Sequence, residues 1–518
     1  MLRSVLLRAL ACAALLVDFV PAQDEGKLLG AFQKAFAPPP KGKASFADKQ
    51  TALHAIADLD SGKVAEALVE TWVVVDAELT QVDLERDAVT IELADIEASA
   101  DKQTNSLPSD KFERARELRG KSGTLRQRAD ELRELVTGVG TRIASLQRRD
   151  SVLWLLQRVC NNKKLPTPVK VAAGKAIGAA AGEVLEELAA ALPKAKEPAD
   201  VIVLLDAFAA AGKRASPFAQ PVIVLLDHKE EGVAERAAQA LAKLAVPEAI
   251  APMLKLLARA TGQTRTRVVA ALEVLTGQQF GGNVAAWQSW WQAESAAFSA
   301  GGKELGTGTP TKRSVRDDLY YFGIPQDTCK SILYVIDCSG SMTAPVQLKT
   351  TGTSAGGKTP ETTRLEACKA ELIRGLSQLR PEQKFAIVWY QETPHIWEPK
   401  MQLATKETVL RAQQFVKTLQ PGSSTNIHDS LEMGFRLAGR GGKDKYYALD
   451  LDTIFLLTDG SPTTPDGKLD STDKILASCR TWNPLQRVVI HCIAIGRDLN
   501  VEFLQKLASE NGGEFKQF

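Results

Sequence analysis

Four near-continuous apolar runs in the last third of the chain, SILYVID, KFAIVWY, TIFLLTD and VVIHCIAIG, leave few architectures open to it. A strand without polar alternation has no face to give to water, so both of its faces must be covered. The segments RLEACKAELIRGLSQL, KETVLRAQQFVKTL, STNIHDSLEMGFRLA and VEFLQKLASE, which lie between or after those runs, carry helical spacing. Alternation of this kind predicts a C-terminal α/β domain, doubly wound and Rossmann-like with a mostly parallel sheet, over 329–518.

The remaining two-thirds reads as helix. At 518 residues the chain has room for about three domains, each able to bury a core. Leu68, Trp72, Val75, Leu79, Val82, Val89, Leu93 and Ile96 step in fours and threes, with Arg86 as the polar interruption. After the turn-rich DKQTNSLPSD, the same steps resume from Leu118 to Leu146, which predicts an antiparallel coiled-coil hairpin over 62–150. A shorter helical segment over 23–61 precedes it. From 151 to 298 the chain turns Ala-rich, and four similar segments beginning at Val169, Val201, Val233 and Thr266 recur at roughly 32–34 residues. Such a period predicts stacked helical pairs, an all-α solenoid into which the hairpin is inserted. The stretch resembles HEAT or armadillo-like repeats, which implies a protein-binding concave face. Trp287, Trp290 and Trp291 read as a core cap on the last repeat, and the Gly, Thr and Lys of 299–328 read as a linker.

At the N-terminus, Arg3 and Arg8 flank a short apolar run that ends at Val20-Pro21-Ala22. This reads as a signal peptide over 1–22, with export to a periplasmic or extracellular space; a lipid anchor on Cys12 is the lesser alternative. No later segment is apolar enough to span a bilayer. The balance of 64 Lys+Arg against 62 Asp+Glu gives no footprint for nucleic acid. Six cysteines remain beyond Cys12 in no zinc-binding spacing, leaving disulfides or inert buried thiols as the options.

The residues that carry chemistry sit where the apolar runs end, which is where open α/β sheets place their ligands. The first run ends in Asp337-Cys338-Ser339-Gly340-Ser341 and the third in Thr458-Asp459-Gly460, while Thr425 lies in a Gly/Ser-rich turn between them. Two carboxylates and three hydroxyls are all oxygen donors, a set suited to a hard divalent cation such as Mg²⁺ (or Mn²⁺ or Ca²⁺) rather than zinc or copper. The D-x-S-x-S at Asp337, Ser339 and Ser341, together with Thr425 and the T-D-G at Asp459, resembles the von Willebrand factor A domain and its metal-ion-dependent adhesion site. That resemblance implies direct coordination by Ser339, Ser341 and Thr425, with Asp337 and Asp459 acting through water. It further implies that a protein partner supplies an Asp or Glu carboxylate to the metal, and that the protein is not an enzyme. Gly340 would keep the loop tight, and Asn426 and Gly460 would support it. An insertion over 344–361 departs from the pattern. A metal that only stabilises the fold is the bland alternative, and a docking component of an enzyme or remodelling complex is another.

The insertion holds two chance motifs. Gly352 to Thr359 spells G-x-x-x-x-G-K-[ST], but Pro360 follows at once where a phosphate loop opens a helix, so no nucleotide site is expected. Ser354 sits in G-x-S-x-G without the strand and helix that pattern needs. His428-Asp429 would form a hydrolytic site only if His428 were aimed at an activated serine, and His491 reads as a hydrogen-bonded core residue.

Overall fold

The computed structural model describes residues 22–37, 44–97, 99, 108–299, 305–309, 320–346, 362–439, 446–447, 449–464, 467–496 and 499–518. The signal-peptide reading, Cys12 and both chance motifs of the insertion fall outside these residues. The chain divides into two compact units, Met1–Leu155 and Leu156–Phe518.

In the first unit, helices α1 (Ala22–Ala35) and α2 (Phe46–Ala55) precede two helices of 36 residues each, α3 (Gly62–Glu97) and α4 (Ser109–Ala144). Helix α2 starts where Ser45 and Asp48 cap each other reciprocally, which satisfies donors that a helix start leaves unpaired. Helices α3 and α4 pack along their length, burying Leu68, Trp72, Val75, Leu79 and Val89 against Leu118, Ala129, Leu132, Val136, Val139 and Ile143. Arg114 pairs with Glu92 and Arg128 with Glu78, so the two helices run antiparallel.

The second unit begins with the helices of the repeated segments, α5 (Thr167–Ala179), α6 (Pro198–Ala211), α7 (Glu231–Leu244), α8 (Ile250–Arg259) and α9 (Gly262–Thr276). Helices α5, α6, α7 and α9 stack in order, each packed on the next. Charged pairs cross successive layers: Lys170 to Asp200 at 2.6 Å with both buried, Arg236 to Asp206 at 2.8 Å, and Arg267 to Glu235. Helix α10 (Val284–Ser299) closes the stack on α8, where Trp287 is fully buried against Phe280 and Trp290. The aromatic cluster is a core cap, as its position after the last repeat suggested.

The described parts of 299–328 are tied to neighbouring elements. Gly306 and Gly308 donate backbone N–H groups to Leu275 and Val274 at the end of α9, and Tyr320–Pro325 forms a small hairpin whose Tyr321 and Phe322 are buried in the sheet's core. The sheet that follows comprises β1 (Ser331–Asp337), β2 (Lys384–Tyr390), β3 (Pro394–Ile396), β4 (Gln402–Leu403), β5 (Thr453–Thr458), β6 (Val489–Ala494) and β7 (Phe515–Gln517). Its order is β7-β6-β5-β1-β2-β3, with β4 also on β2. The five strands from β7 to β2 are parallel and only the short edge strands are antiparallel. Alternate residues feed opposite layers, as a two-residue period requires. Tyr334, Ile336, Phe455 and Leu457 enter the layer of α11 (Arg364–Ser377) and α12 (Lys406–Thr418). Leu333, Val335, Ile454 and Leu456 enter that of α13 (Ile427–Gly439), α14 (Thr472–Trp482) and α15 (Val501–Glu510).

The repeats dock on the edge of the sheet where its parallel strands begin. Arg236 donates to the Leu485 carbonyl at 2.5 Å, Gln263 to Thr453 at 3.0 Å, and Lys330 pairs with Glu231 at 2.9 Å. These contacts commit this side of the repeats to the chain's own sheet.

Candidate functional site

Chain order places β2 and β5 on opposite sides of β1, so the crossovers diverge at β1 and open a crevice beyond its carboxyl end. Three loops meet there. Ser339 and Ser341 follow β1, Asp459 follows β5, and Thr425 precedes α13. A Cβ added at Gly460 would lie 3.5 Å from Thr425 Oγ1 and 3.9 Å from Ser341 Oγ, so the 425 and 459 loops and the β1 loop share one small space. All five expected ligand residues are brought together.

The buried Asp337 is the anchor. Its Oδ1 accepts the Ser339 N–H at 2.8 Å, and its Oδ2 accepts from Thr458 Oγ1 at 2.8 Å and Tyr390 OH at 3.2 Å. Burial, then the charge of nearby Asp459, pushes the Asp337 carboxyl up to about 6 despite those donors. The Ser341 hydroxyl donates to Asp459 Oδ1 at 2.6 Å, so in the 3.0 Å contact between the two serine hydroxyls Ser339 is the donor. Gly340 holds the loop against the 425 segment, because a Cβ there would lie 3.0 Å from the Gly422 carbonyl. Thr425 is pinned by mutual hydrogen bonds with Thr463, both at 2.8 Å. Asn426, fully buried, bridges Glu392 and Asp429 and so fixes the turn into α13.

These residues fit a hard divalent cation. Magnesium takes octahedral oxygen ligands at about 2.0–2.1 Å, so neighbouring ligand oxygens are separated by about 2.9 Å. The Ser339 and Ser341 oxygens, 3.0 Å apart, have the spacing of one such edge. Two buried carboxylates that repel each other also call for a cation between them. Ser341 is exposed, leaving one side open to solvent.

Several contributors were not visible in the sequence. Tyr390 and Thr458, which orient Asp337, lie on neighbouring strands, and Arg364, at 2.8 Å from Asp459 Oδ2, comes from beyond the insertion. Thr458 had a partial signal, being the first letter of the T-D-G. His428 does meet a serine, with Nε2 at 3.1 Å from Ser478 Oγ and Nδ1 at 3.0 Å from Asp429. His428 and Ser478 are both buried between α13 and α14, so this chain of hydrogen bonds ties helices together instead of facing a substrate. His491 stacks on Phe455, accepts the Glu514 N–H, and is held neutral as burial lowers its pKa to about 4. All six described cysteines are buried and unpaired, and burial raises their thiols, Cys338 to about 12. They are the inert thiols of the two options.

A family model for the von Willebrand factor type A domain matches residues 359–516. The C-terminal α/β region is a von Willebrand factor type A domain. Asp337, Ser339 and Ser341 precede the matched range, at the end of the central strand that its β2 and β5 flank and in the loop just beyond it. Human inter-alpha-trypsin inhibitor heavy chain H4 is 28% identical over 185 residues, 36% of this chain and 18% of that protein. Heavy chain H2 of Mesocricetus auratus is likewise 28% identical over 185 residues, 36% of this chain and 17% of that protein. The chain thus spans less than a fifth of the length of these relatives. Among solved structures, a von Willebrand factor type A protein from Catenulispora acidiphila covers 36% of this chain and 38% of its own, at 19% identity and a TM-score of 0.28. Proximal thread matrix protein 1 from mussel byssus, described with a zinc-occupied metal-ion-dependent adhesion site, covers 36% and 41% at 19% identity and a TM-score of 0.26. Proteins with this domain bind other proteins and commonly hold a divalent metal at the strand ends. Among the described residues, no helix is long and apolar enough to cross a membrane.

Proposed function

We propose that this chain is an exported interaction protein that captures an acidic side chain of a protein partner through a divalent cation, with the helical repeats as its scaffold. Ser339, Ser341 and Thr425 would hold Mg²⁺ directly, and Asp337 and Asp459 would act through water. The convergence of these five oxygen-donor residues at the switch point of the sheet, with the serine hydroxyls at octahedral spacing, carries the reading. The cation supplies a Lewis-acidic position for a carboxylate oxygen. The protein supplies the rest: Thr458 and Tyr390 fix Asp337, Ser341 ties Asp459 to the loop, and Thr463 fixes Thr425. This reading involves no covalent step.

Asp337→Ala should abolish Mg²⁺-dependent capture of partners from extracellular or envelope fractions while the helical region stays folded. Capture by that variant that is unchanged and resistant to EDTA would refute the reading. A metal-dependent melting temperature without metal-dependent capture would assign the ion to fold stability alone; the exposure of Ser341 favours capture.

A further inference from the structure

A second cation stands beside the metal loop. Arg364, the first residue of α11, places Nη1 2.8 Å from Asp459 Oδ2, while the Ser341 hydroxyl holds Oδ1. The Asp459 side chain is fully buried in this pair and that of Arg364 is 17% exposed. The backbone makes room for the guanidinium: Gly496, beyond β6, has φ +116°, and a Cβ there would lie 2.7 Å from Arg364 Nη2. Arg364 Nε is buried with no acceptor among the described residues. A buried donor left unpaired costs about 1–3 kcal/mol, so this placement is a poor solution if fold stability is all it serves.

Charge counting gives it another role. Asp337 and Asp459 together carry two negative charges, and a divalent ion would bring their sum to zero. A carboxylate arriving at such a site would leave it negative. With Arg364 included the loaded site is +1, and one carboxylate neutralises it. The guanidinium also holds Asp459 Oδ2, keeping that oxygen from swinging in to take the position the partner needs.

We propose that Arg364 is a positioning residue that sets the charge of the metal site, holding Asp459 in place and leaving the ion electropositive enough to take an anionic oxygen from a protein side chain. This rests on the divalent-cation reading above. Its consequence is a split: the arginine opposes the metal and favours the carboxylate. A residue that served only the fold would not move the two in opposite directions.

The test uses the full chain with Mn²⁺ as the probe ion and acetate as the probe carboxylate. Free Mn²⁺ is followed by electron paramagnetic resonance, and acetate binding by relaxation of its methyl protons. Arg364→Met should bind Mn²⁺ about tenfold more tightly and acetate about tenfold more weakly, since a unit charge a few ångströms away at a partly buried site is worth at least that much. Arg364→Lys, which keeps the charge, should restore both towards the wild-type values. Equal affinities in Arg364→Met and wild type, or a parallel loss of both, would overturn the proposal while leaving the metal site standing. If neither protein binds Mn²⁺, the metal reading itself falls and takes this inference with it.

Discussion

Asp337 shows how one buried carboxyl reports on the whole site. Its pKa of about 6 in the metal-free fold lies above the ordinary 3.8, because burial and Asp459 disfavour the charge more than three donors favour it. The folded state therefore keeps a proton that the unfolded state has released. Between pH 4 and 6 this carboxyl binds more protons in the folded state than in the unfolded one, so its own contribution to stability is greatest near pH 4 and falls as pH rises through 6, by up to about 3 kcal/mol, against an opposite contribution from the neutral His491. Thermal melts in EDTA from pH 4 to 7 should show that decline in the difference between wild type and Asp337→Asn, in which His491 cancels. Saturating Mg²⁺ should reverse the trend, since the ion binds the ionised form. A difference between the two proteins that is level across this range would contradict the shift. At this scale the sequence was informative about the candidate ligands and about local supports such as Gly340 and Asn426, and silent about the distant ones. The five proposed ligand residues form a motif because three of them lie within five residues of one another and the others close recognisable turns. Arg364, Tyr390 and Thr463 act across 95, 53 and 38 residues respectively, and no local spacing encodes such pairings.

Elements were legible wherever burial was one-sided or complete. The central strands were read from apolar runs, and the equal lengths of α3 and α4 from a four-three rhythm that only Arg86 interrupts. Edge strands β3 and β4 escaped because two or three residues are too few for a period to register. The Tyr320–Pro325 hairpin escaped because Gly, Thr and Lys dominate the stretch before it, hiding two aromatic residues that enter the sheet's core. Within the repeats, small residues predicted close helix packing, but not the buried pair Lys170–Asp200 that crosses from α5 to α6. Lys170→Met takes the ammonium away from the buried Asp200 carboxylate, which should cost about 3–5 kcal/mol. The double variant Lys170→Met/Asp200→Leu removes both charges and should recover most of that loss. Chemical denaturation of the two variants separates the outcomes: equal destabilisation would mean that shape, not charge pairing, governs this layer.

At the scale of the second unit, the helical repeats and the sheet share an interface at the end opposite the Ser339–Ser341 loop. Strands β1 and β5 run from it to the site: Ser331 and Thr453 lie near α7 and α9, and Asp337 and Asp459 lie at or just beyond the far ends. Arg236 is committed on both sides, to Asp206 in α6 and to the Leu485 carbonyl. Parallel strands in a close-packed core do not bend independently of what holds their ends. An ion bound only by the native fold stabilises it by about 2.7 kcal/mol at a hundredfold excess over its dissociation constant. If the unit opens as one, that stabilisation should reach the helices as well as the sheet. Hydrogen exchange with and without Mg²⁺ should then show slower exchange in α7 and α9 as well as in β1 and β5. Arg236→Ala removes two charge-assisted hydrogen bonds and should confine the protection to the sheet, while the metal affinity changes little. Protection confined to the sheet in the wild type would instead make the repeats an independent scaffold, opening on their own whether or not the distant site is filled.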